Sequence, residues 1–341
     1  KINSFEFYRY EDIIKKEDDA GYDKTAFEKM LEIKGDSDHT KLIDMLTDLN
    51  DYSIGIEDVL KEHFDEENIV YWMAFQILMG NVDTQNRNVY LYSPLNSDIW
   101  YFIAWDNDGC LMRSEYELKN FSDQGSWEKG ISNYWGNVLF QRCLKSRSFR
   151  EKLNDAILEL REYLNKDMLI SKIESYKNVL KPYLYSMPDA EYEPLTSEQY
   201  DQIVASLPDE IEKNYKLYLE SLETPMPFYI GVPTIDGNKL KFNWDVSYDL
   251  DAEDITYSVE VARDYLFQDV IYHNTTLTVP ETEMDLPEAG QYFVRIRATN
   301  TSGKTQDAFD YYVTDEGKHY GMKCFYITED STVEEDNYEE G

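Results

Sequence analysis

The sequence predicts a mixed α+β chain. A mostly helical first part holds one short β-hairpin, and an all-β part follows it. Three observations carry that prediction. Residues 68–79 are apolar nearly all round, which suits a buried helix. Amphipathic runs with apolar residues at helical spacing fill much of residues 149–222. After Thr224-Pro225-Met226-Pro227 the pattern changes to apolar–polar alternation, the pattern of half-buried strands.

The elements follow in order. Residues 5–59 are mixed, with Phe5-Glu6-Phe7-Tyr8-Arg9-Tyr10 reading as an edge strand. Asp38-His39-Thr40 starts a helix over 41–49, and Asp65 is the N-cap of the apolar helix. Val89-Tyr90-Leu91-Tyr92 and residues 100–105 read as strands, joined by the turn-rich Ser93-Pro94-Leu95-Asn96-Ser97-Asp98. Residues 149–164 place Leu153, Ile157, Leu160 and Leu164 on one helical face. Helices are also expected over 167–185 and 197–222, the latter with an internal Pro208. In the second part 239–244, 255–262 and 291–298 alternate, which predicts a β-sandwich. Residues 329–341 are acidic and expected to be disordered.

Composition narrows the function classes. A chain of 341 residues has two domains as its natural prior and can bury a core in each. A net charge of −35 repels nucleic acid and anionic membranes, so neither is an expected partner. No apolar run is long enough to span a bilayer. The three cysteines, Cys110, Cys143 and Cys324, form neither a disulfide framework nor a zinc pattern. His39, His63, His273 and His319 are scattered without paired spacing, and no G-x-S-x-G occurs. Zinc-hydrolase and α/β-hydrolase chemistry are thereby disfavoured.

The chemistry-bearing stretch is residues 79–109. The apolar helix delivers Asp83 to a polar loop, Asn88 follows five positions later, and the second strand of the hairpin runs into Asp106. Carboxylate, amide, strand pair and carboxylate is the order in which a kinase-type site holds a hydroxyl nucleophile and a metal-bound nucleotide. A hard cation is satisfied by a few oxygen ligands and retained water, so two acids and an amide suffice. Other readings compete. Asp83 would cap a turn, and Asn88 would bind loop backbone. Residues 106–115 partly imitate a calcium loop whose first ligand position falls on Ala104. Asp83 and Asp106 could also be a glycosidase pair. Trp100 and Trp105 read as core residues, and Cys110 as a small core residue.

The same residues resemble the CotH family of spore-coat-type protein kinases. The resemblance is carried by Asn81-Val82-Asp83, by Asn88 with Tyr90-Leu91-Tyr92, and by Trp105-Asp106-Asn107-Asp108. It extends through residues 137–144 and 148–153, loosely to Tyr218, and upstream to residues 27–34 and 41–46. The family implies an atypical kinase-like C-lobe, mostly helical with a small hairpin, over residues 1–223. A linker at 224–228 is then followed by a fibronectin type III-like sandwich over 229–316 and an acidic tail over 317–341. In that sandwich Tyr292 would make a tyrosine corner and Trp244 would be the core Trp. The family also implies phosphoryl transfer from ATP, with Mg2+ or Mn2+, to Ser or Thr of a Ser/Thr-rich, often basic protein. Asp83 would be the catalytic Asp, Asp106 the main metal and nucleotide ligand, Asn88 an auxiliary one and Asp108 a further metal ligand. A monomer at the cell surface, in the extracellular space or in a spore coat is the expectation.

One departure from the family stands out. No glycine-rich loop and no V-A-I-K-like strand supplies a phosphate-gripping Lys, and only Lys15, Lys16 and Lys34 are early candidates. The chain therefore reads as a fragment whose first lobe lies upstream or was lost, and as a poor catalyst by itself. Two functions follow: a CotH-like protein kinase, or a non-catalytic surface or adhesion protein that keeps the kinase-like scaffold for binding.

Overall fold

The computed structural model describes residues 7–8, 13–30, 38–85, 87–119 and 124–335. Over them the fold is mixed α+β. Helices α1 (Lys24–Met30), α2 (Thr40–Asn50), α3 (Ile56–His63) and α4 (Glu66–Met79) lead into a hairpin, β1 (Tyr90–Tyr92) and β2 (Tyr101–Ile103). Helices α5 (Arg113–Lys119), α6 (Val138–Lys145), α7 (Arg147–Tyr163), α8 (Lys166–Leu184), α9 (Ser197–Ser206) and α10 (Glu210–Leu222) follow. The chain divides into two compact units, Lys1–Asn120 with Asn133–Tyr218, and Phe121–Ser132 with Leu219–Gly341.

In the first unit α4 is the buried helix that its sequence predicts. The Asp65 carboxylate accepts a 2.9 Å hydrogen bond from the Asn68 N–H, the expected cap. The helix stops at Gly80, whose φ of +65° suits a residue without Cβ. Trp72 stacks on Phe140 with centroids 5.6 Å apart and lies 4.8 Å from Phe102, so one aromatic core joins α4, α6 and the hairpin. Asn68 locks the hairpin to α4 by pairing with the Phe102 backbone as a strand would. Its Oδ1 accepts from the Phe102 N–H at 2.6 Å, and its Nδ2 donates to the Phe102 carbonyl at 3.1 Å. Lys41 holds the hairpin turn, donating to Ser93 Oγ at 3.1 Å, to the Pro94 carbonyl at 2.8 Å and to the Ser97 carbonyl. The buried Arg142 guanidinium donates to the Leu49 and Ile54 carbonyls, taking up acceptors at and beyond the end of α2.

Two stretches of this unit differ from the sequence pattern. Residues 197–222 form two helices, α9 and α10, separated by a 3-10 turn at Leu207–Asp209. Pro208 lacks the N–H that a continuous helix needs, and its ring opposes the preceding turn. The strand expected over residues 5–10 lies mostly outside the described residues. Phe7 and Tyr8 are in no strand, and Phe7 is buried against Phe102.

The second unit contains β3 (Thr234–Asp236), β4 (Lys239–Asn243), β5 (Ile255–Ala262), β6 (Val270–Leu277), β7 (Glu281–Asp285) and β8 (Gly290–Asn300). It continues with β9 (Thr305–Asp307), β10 (Tyr311–Thr314), β11 (Gly317–Tyr320), β12 (Met322–Ile327) and β13 (Val333–Glu335). One sheet has the order β3-β4-β7 and another β13-β12-β8-β5-β6 with β9 beside β8, while β10 and β11 pair separately. The inward residues of both sheets share one core, with Leu240, Phe242 and Trp244 against Val259, Val294, Ile296 and Phe325. The Tyr292 hydroxyl donates to the Glu288 carbonyl at 2.8 Å, the corner geometry that its sequence context suggests. The region is all-β, as the alternation predicts.

The expectation of an acidic tail from residue 317, disordered from 329, is corrected. Strands β11, β12 and β13 run through residues 317–335, and β12 pairs with β8 along Met322–Ile327. The acidic flanks hide a Met322-Lys323-Cys324-Phe325-Tyr326-Ile327 strand whose Phe325 is fully buried.

Candidate active site

The two acidic loops are built on buried amides. Asn81, just past the end of α4, is buried and extended. Its Oδ1 accepts from the Asp83 N–H at 3.3 Å, which starts the 3-10 turn Val82–Thr84. Its Nδ2 donates to Gln76 Oε1 at 3.1 Å and to Asn107 Oδ1 at 3.3 Å, and Gln76 Nε2 donates to the same Asn107 oxygen at 3.0 Å. The Asp83 loop and the Asp106–Asp108 loop are thus joined through Asn107. They also touch at Gly109, where an added Cβ would fall 3.0 Å from Asn81 Oδ1 and 3.9 Å from Asp83 Cβ.

The segment before α6 braces the Asp83 loop from below. Asn133 Nδ2 donates to the Val82 carbonyl at 3.1 Å, and Asn137 Nδ2 donates to the Gln85 carbonyl at 3.0 Å. The Thr84 and Tyr134 hydroxyls pair at 3.0 Å in the interior. Carbonyls that the turn withdraws from regular structure here find side-chain donors, as a buried loop requires.

Above this platform the Asp83 side chain reaches the surface. Asn88 Nδ2 donates to Asp83 Oδ2 at 2.7 Å. Asp106 starts a second 3-10 turn, Asn107–Gly109, without capping it, and the residue is exposed. Asn88, Asp106 and Leu111 take left-handed backbone conformations with φ of 51°, 52° and 58°. Asn and Asp tolerate that region, but Leu does not do so readily, and strained backbone gathers at functional sites. Leu111 is held there by its N–H, which donates to the Met79 carbonyl at 2.8 Å.

The electrostatics place the acids in one field. Burial pushes the Asp83 carboxyl above the usual carboxylate range. The Arg87 guanidinium opposes that, and the Asp106 and Asp108 charges add to it. Burial pushes the Cys110 thiol up to about 12, with the Asp108 charge adding and a hydrogen bond from Asn81 opposing, so Cys110 is a protonated filler.

All four predicted residues, Asp83, Asn88, Asp106 and Asp108, therefore fall on two interlocked loops. Among the described residues, no group of three or more His, Cys, Asp or Glu side chains is gathered as a metal cage. The donor set on offer is two aspartates and one amide, which suits a magnesium-type ion that keeps water and takes its remaining oxygens from a nucleotide. Trp105 is not a core residue as expected. It is 55% exposed and stacks on Tyr90 with centroids 5.4 Å apart, beside Asp106 in sequence. Lys15 donates to the Ala20 carbonyl and Lys16 pairs with Asp44, while Lys34 lies outside the described residues. Sequence reasoning missed Gln76, Arg87, Asn107, Asn133, Tyr134 and Asn137. Gln76 gave a usable signal, because a lone amide in an apolar helix needs a buried partner.

The family model described as CotH kinase protein matches residues 3–218, well over half of the chain. The chain belongs to the CotH kinase family. Its two acidic loops lie inside the matched CotH region, and membership makes kinase-type chemistry, with ATP and a divalent metal, the family-level expectation. The CotH family is associated with spore coats, and among the described residues no helix is long and apolar enough to cross a membrane. Among solved structures, the twitchin kinase region from C. elegans matches at 16% identity and a TM-score of 0.21, over 28% of this chain and 20% of that one. This chain thus spans about a fifth of that structure's length. No curated protein matches.

Proposed function

We propose that this CotH-family chain carries the phosphotransfer site of an atypical protein kinase that moves the ATP γ-phosphoryl group onto a Ser or Thr hydroxyl of a protein. The observation that carries the reading is the Asn88–Asp83 hydrogen bond set in the field of Asp106 and Asp108. Asp83 is the group that takes the hydroxyl proton. A carboxylate held above its usual range is the stronger base and the better matched to neutral pH. Asn88 orients Asp83 through its Nδ2, and the same amide has an oxygen to offer a cation. Asp106, with Asp108, would hold Mg2+ or Mn2+. A bound cation supplies the positive charge that phosphate oxygens need during transfer. Arg87 is a cation that acts on Asp83, and the exposed pair of Tyr90 on β1 and Trp105, next to Asp106 in sequence, offers a flat apolar surface.

The substrate on this reading is a Ser/Thr-rich protein, with basic segments favoured by the chain's −35 charge. A secreted or coat-associated setting belongs to the same proposal. The test is incorporation of labelled γ-phosphate into a Ser-rich basic protein by the full chain with Mn2+ or Mg2+. Asp83→Asn and Asp106→Ala should each abolish it, and undiminished labelling in both would reject the assignment. The non-catalytic binding reading draws support from Lys15 and Lys16, whose ammonium groups are engaged by the Ala20 carbonyl and by Asp44. Under that reading, ATP and Mn2+ would give no binding heat and no labelling.

A further inference from the structure

A polar seam of the first unit lies outside the acidic loops and has no part in the roles above. It is carried by α10. Pro208 sets where α10 begins, and Glu210 and Asn214, one turn apart, share a face. Glu210 is fully buried, and Asn214 nearly so. Glu210 Oε1 accepts a 2.9 Å hydrogen bond from the Ser114 N–H and a short one from the Ser114 hydroxyl. Lys213 Nζ donates to that hydroxyl at 3.0 Å and stands 3.8 Å from Glu210. Asn214 Oδ1 accepts from Arg113 Nε at 2.6 Å, and its Nδ2 donates to the Leu78 carbonyl at 3.0 Å. The Asn214 amide also fills the space over Gly80, where a Cβ would fall 2.6 Å from Nδ2.

Along the chain these contacts fall on two places. Leu78 and Gly80 immediately precede the loop that carries Asp83. Arg113 and Ser114 closely follow the loop that carries Asp106 and Asp108. The Leu111 N–H to Met79 carbonyl bond ties the same two places together. A buried carboxylate is expensive to keep, and Glu210 Oε2 has no hydrogen-bond partner among the described residues. Buried polar groups of this kind specify one arrangement of the segments they join.

We propose that Glu210 and Asn214 are positioning residues that fix the separation of the two acidic loops. These contacts act beside the Asn81–Asn107 and Leu111–Met79 bonds; the positioning role stands on them, and only its consequence for catalysis rests on the phosphotransfer reading. Asn214 holds the end of α4 and the start of α5, the segments that flank the two loops, so it is the more sensitive of the two. Removing it takes away one of the ties between the end of α4 and the start of α5, leaving the Leu111–Met79 bond, without touching Asp83, Asn88, Asp106 or Asp108.

The experiment compares Asn214→Ala with Leu153→Ala, a core truncation on α7, in the full chain. Hydrogen–deuterium exchange is read over residues 81–88 and 105–112, and phosphoryl transfer is titrated with Mn2+. Asn214→Ala should loosen both loops while α7 stays protected. It should raise the half-saturating Mn2+ several-fold and lower kcat by roughly 10²-fold, the scale of a 1 Å misplacement, with KM for the protein substrate little changed. Glu210→Gln, whose Oε1 still accepts from Ser114, should retain more transfer than Glu210→Ala. Loops as protected as in the parent, or a loosening spread evenly as in Leu153→Ala, overturn the proposal. Selective loosening in a chain whose parent form transfers no phosphate supports the positioning role and rejects the phosphotransfer reading. If Asn214→Ala does not fold, Ser114→Ala and Glu210→Gln give the same exchange comparison at lower cost.

Discussion

Asn107, set between Asp106 and Asp108, accepts a 3.3 Å hydrogen bond from the side chain of Asn81, two residues ahead of Asp83. The acids of one loop are therefore fixed to the acid of the other by a neutral contact that carries no charge of its own. Asn107→Ala should leave Gln76 Nε2 without its acceptor and cost about 1–3 kcal/mol of stability in chemical denaturation. Phosphoryl transfer should fall further than that loss of folded protein explains. Asn107→Asp keeps the acceptor oxygen and should fold better than Asn107→Ala. Equal stability of the alanine variant and its parent would show that the amide cluster is not a joint.

Asp83 gives a pH-dependent prediction. Its folded carboxyl is held above the usual range, so the folded state binds the proton more tightly than the unfolded chain does. The stabilisation from Asp83 is full below the ordinary carboxylate pKa and is lost as pH rises through the raised folded value. At neutral pH Asp83→Asn should therefore stabilise the fold slightly, by less than about 1 kcal/mol because the group is solvent-screened, read as a small rise in Tm. That advantage should vanish in acid. In Asp106→Asn, one of the charges raising Asp83 is gone, and the Asp83 titration followed by NMR should move to lower pH. An unmoved titration would place Asp106 outside the field of Asp83.

Gly80→Ala combines two penalties. The position has φ of +65°, and the new Cβ would fall 2.6 Å from Asn214 Nδ2. Left-handed strain and overpacking together should cost about 2–4 kcal/mol, read by denaturation of the full chain. A loss well below that range would mean that Asn214 gives way, and that its seat over the helix end is soft.

In the second unit Asp310 receives the Ile230 N–H at 2.7 Å and stands 3.3 Å from Lys323. Burial raises the Asp310 carboxyl, with Lys323 and the Ile230 N–H opposing. Lys323→Met leaves that carboxylate uncompensated and should destabilise the unit by about 2 kcal/mol at neutral pH, less than a fully buried pair would. Because the raised group takes up its proton as pH falls, the deficit should shrink toward acid. A deficit that stayed constant with pH would assign the effect to lost packing of the lysine stem.

Much of the fold could be read from residue patterns, because burial acts on them directly. The apolar run of α4, its Asp65 cap and the alternation in β5 and β8 all express one-sided or complete burial. The β6 and β7 strands were not visible. Their exposed Thr, Asn and Glu residues follow the β-strand path without a clear apolar face. The β12 strand was hidden by acidic neighbours. At the site, Asp83, Asn88, Asp106 and Asp108 were legible by type and order. The groups that hold them were not, because Gln76, Asn107 and Asn137 contact loop backbone and each other across long stretches of chain. No local pattern records such partners.

The stretch Phe121–Ser132 belongs with the β-rich unit although it is written inside the first 218 residues. Trp127, buried there, meets Phe309 edge-on at 5.1 Å and Tyr320 at 6.0 Å. An expression boundary drawn after Tyr218 would strip that indole of both rings and leave a greasy, unsheltered excursion in the middle of the product. Preparations cut at that point should clump or be nicked by proteases near Trp127, and a failed assay on them would reflect the cloning rather than the protein.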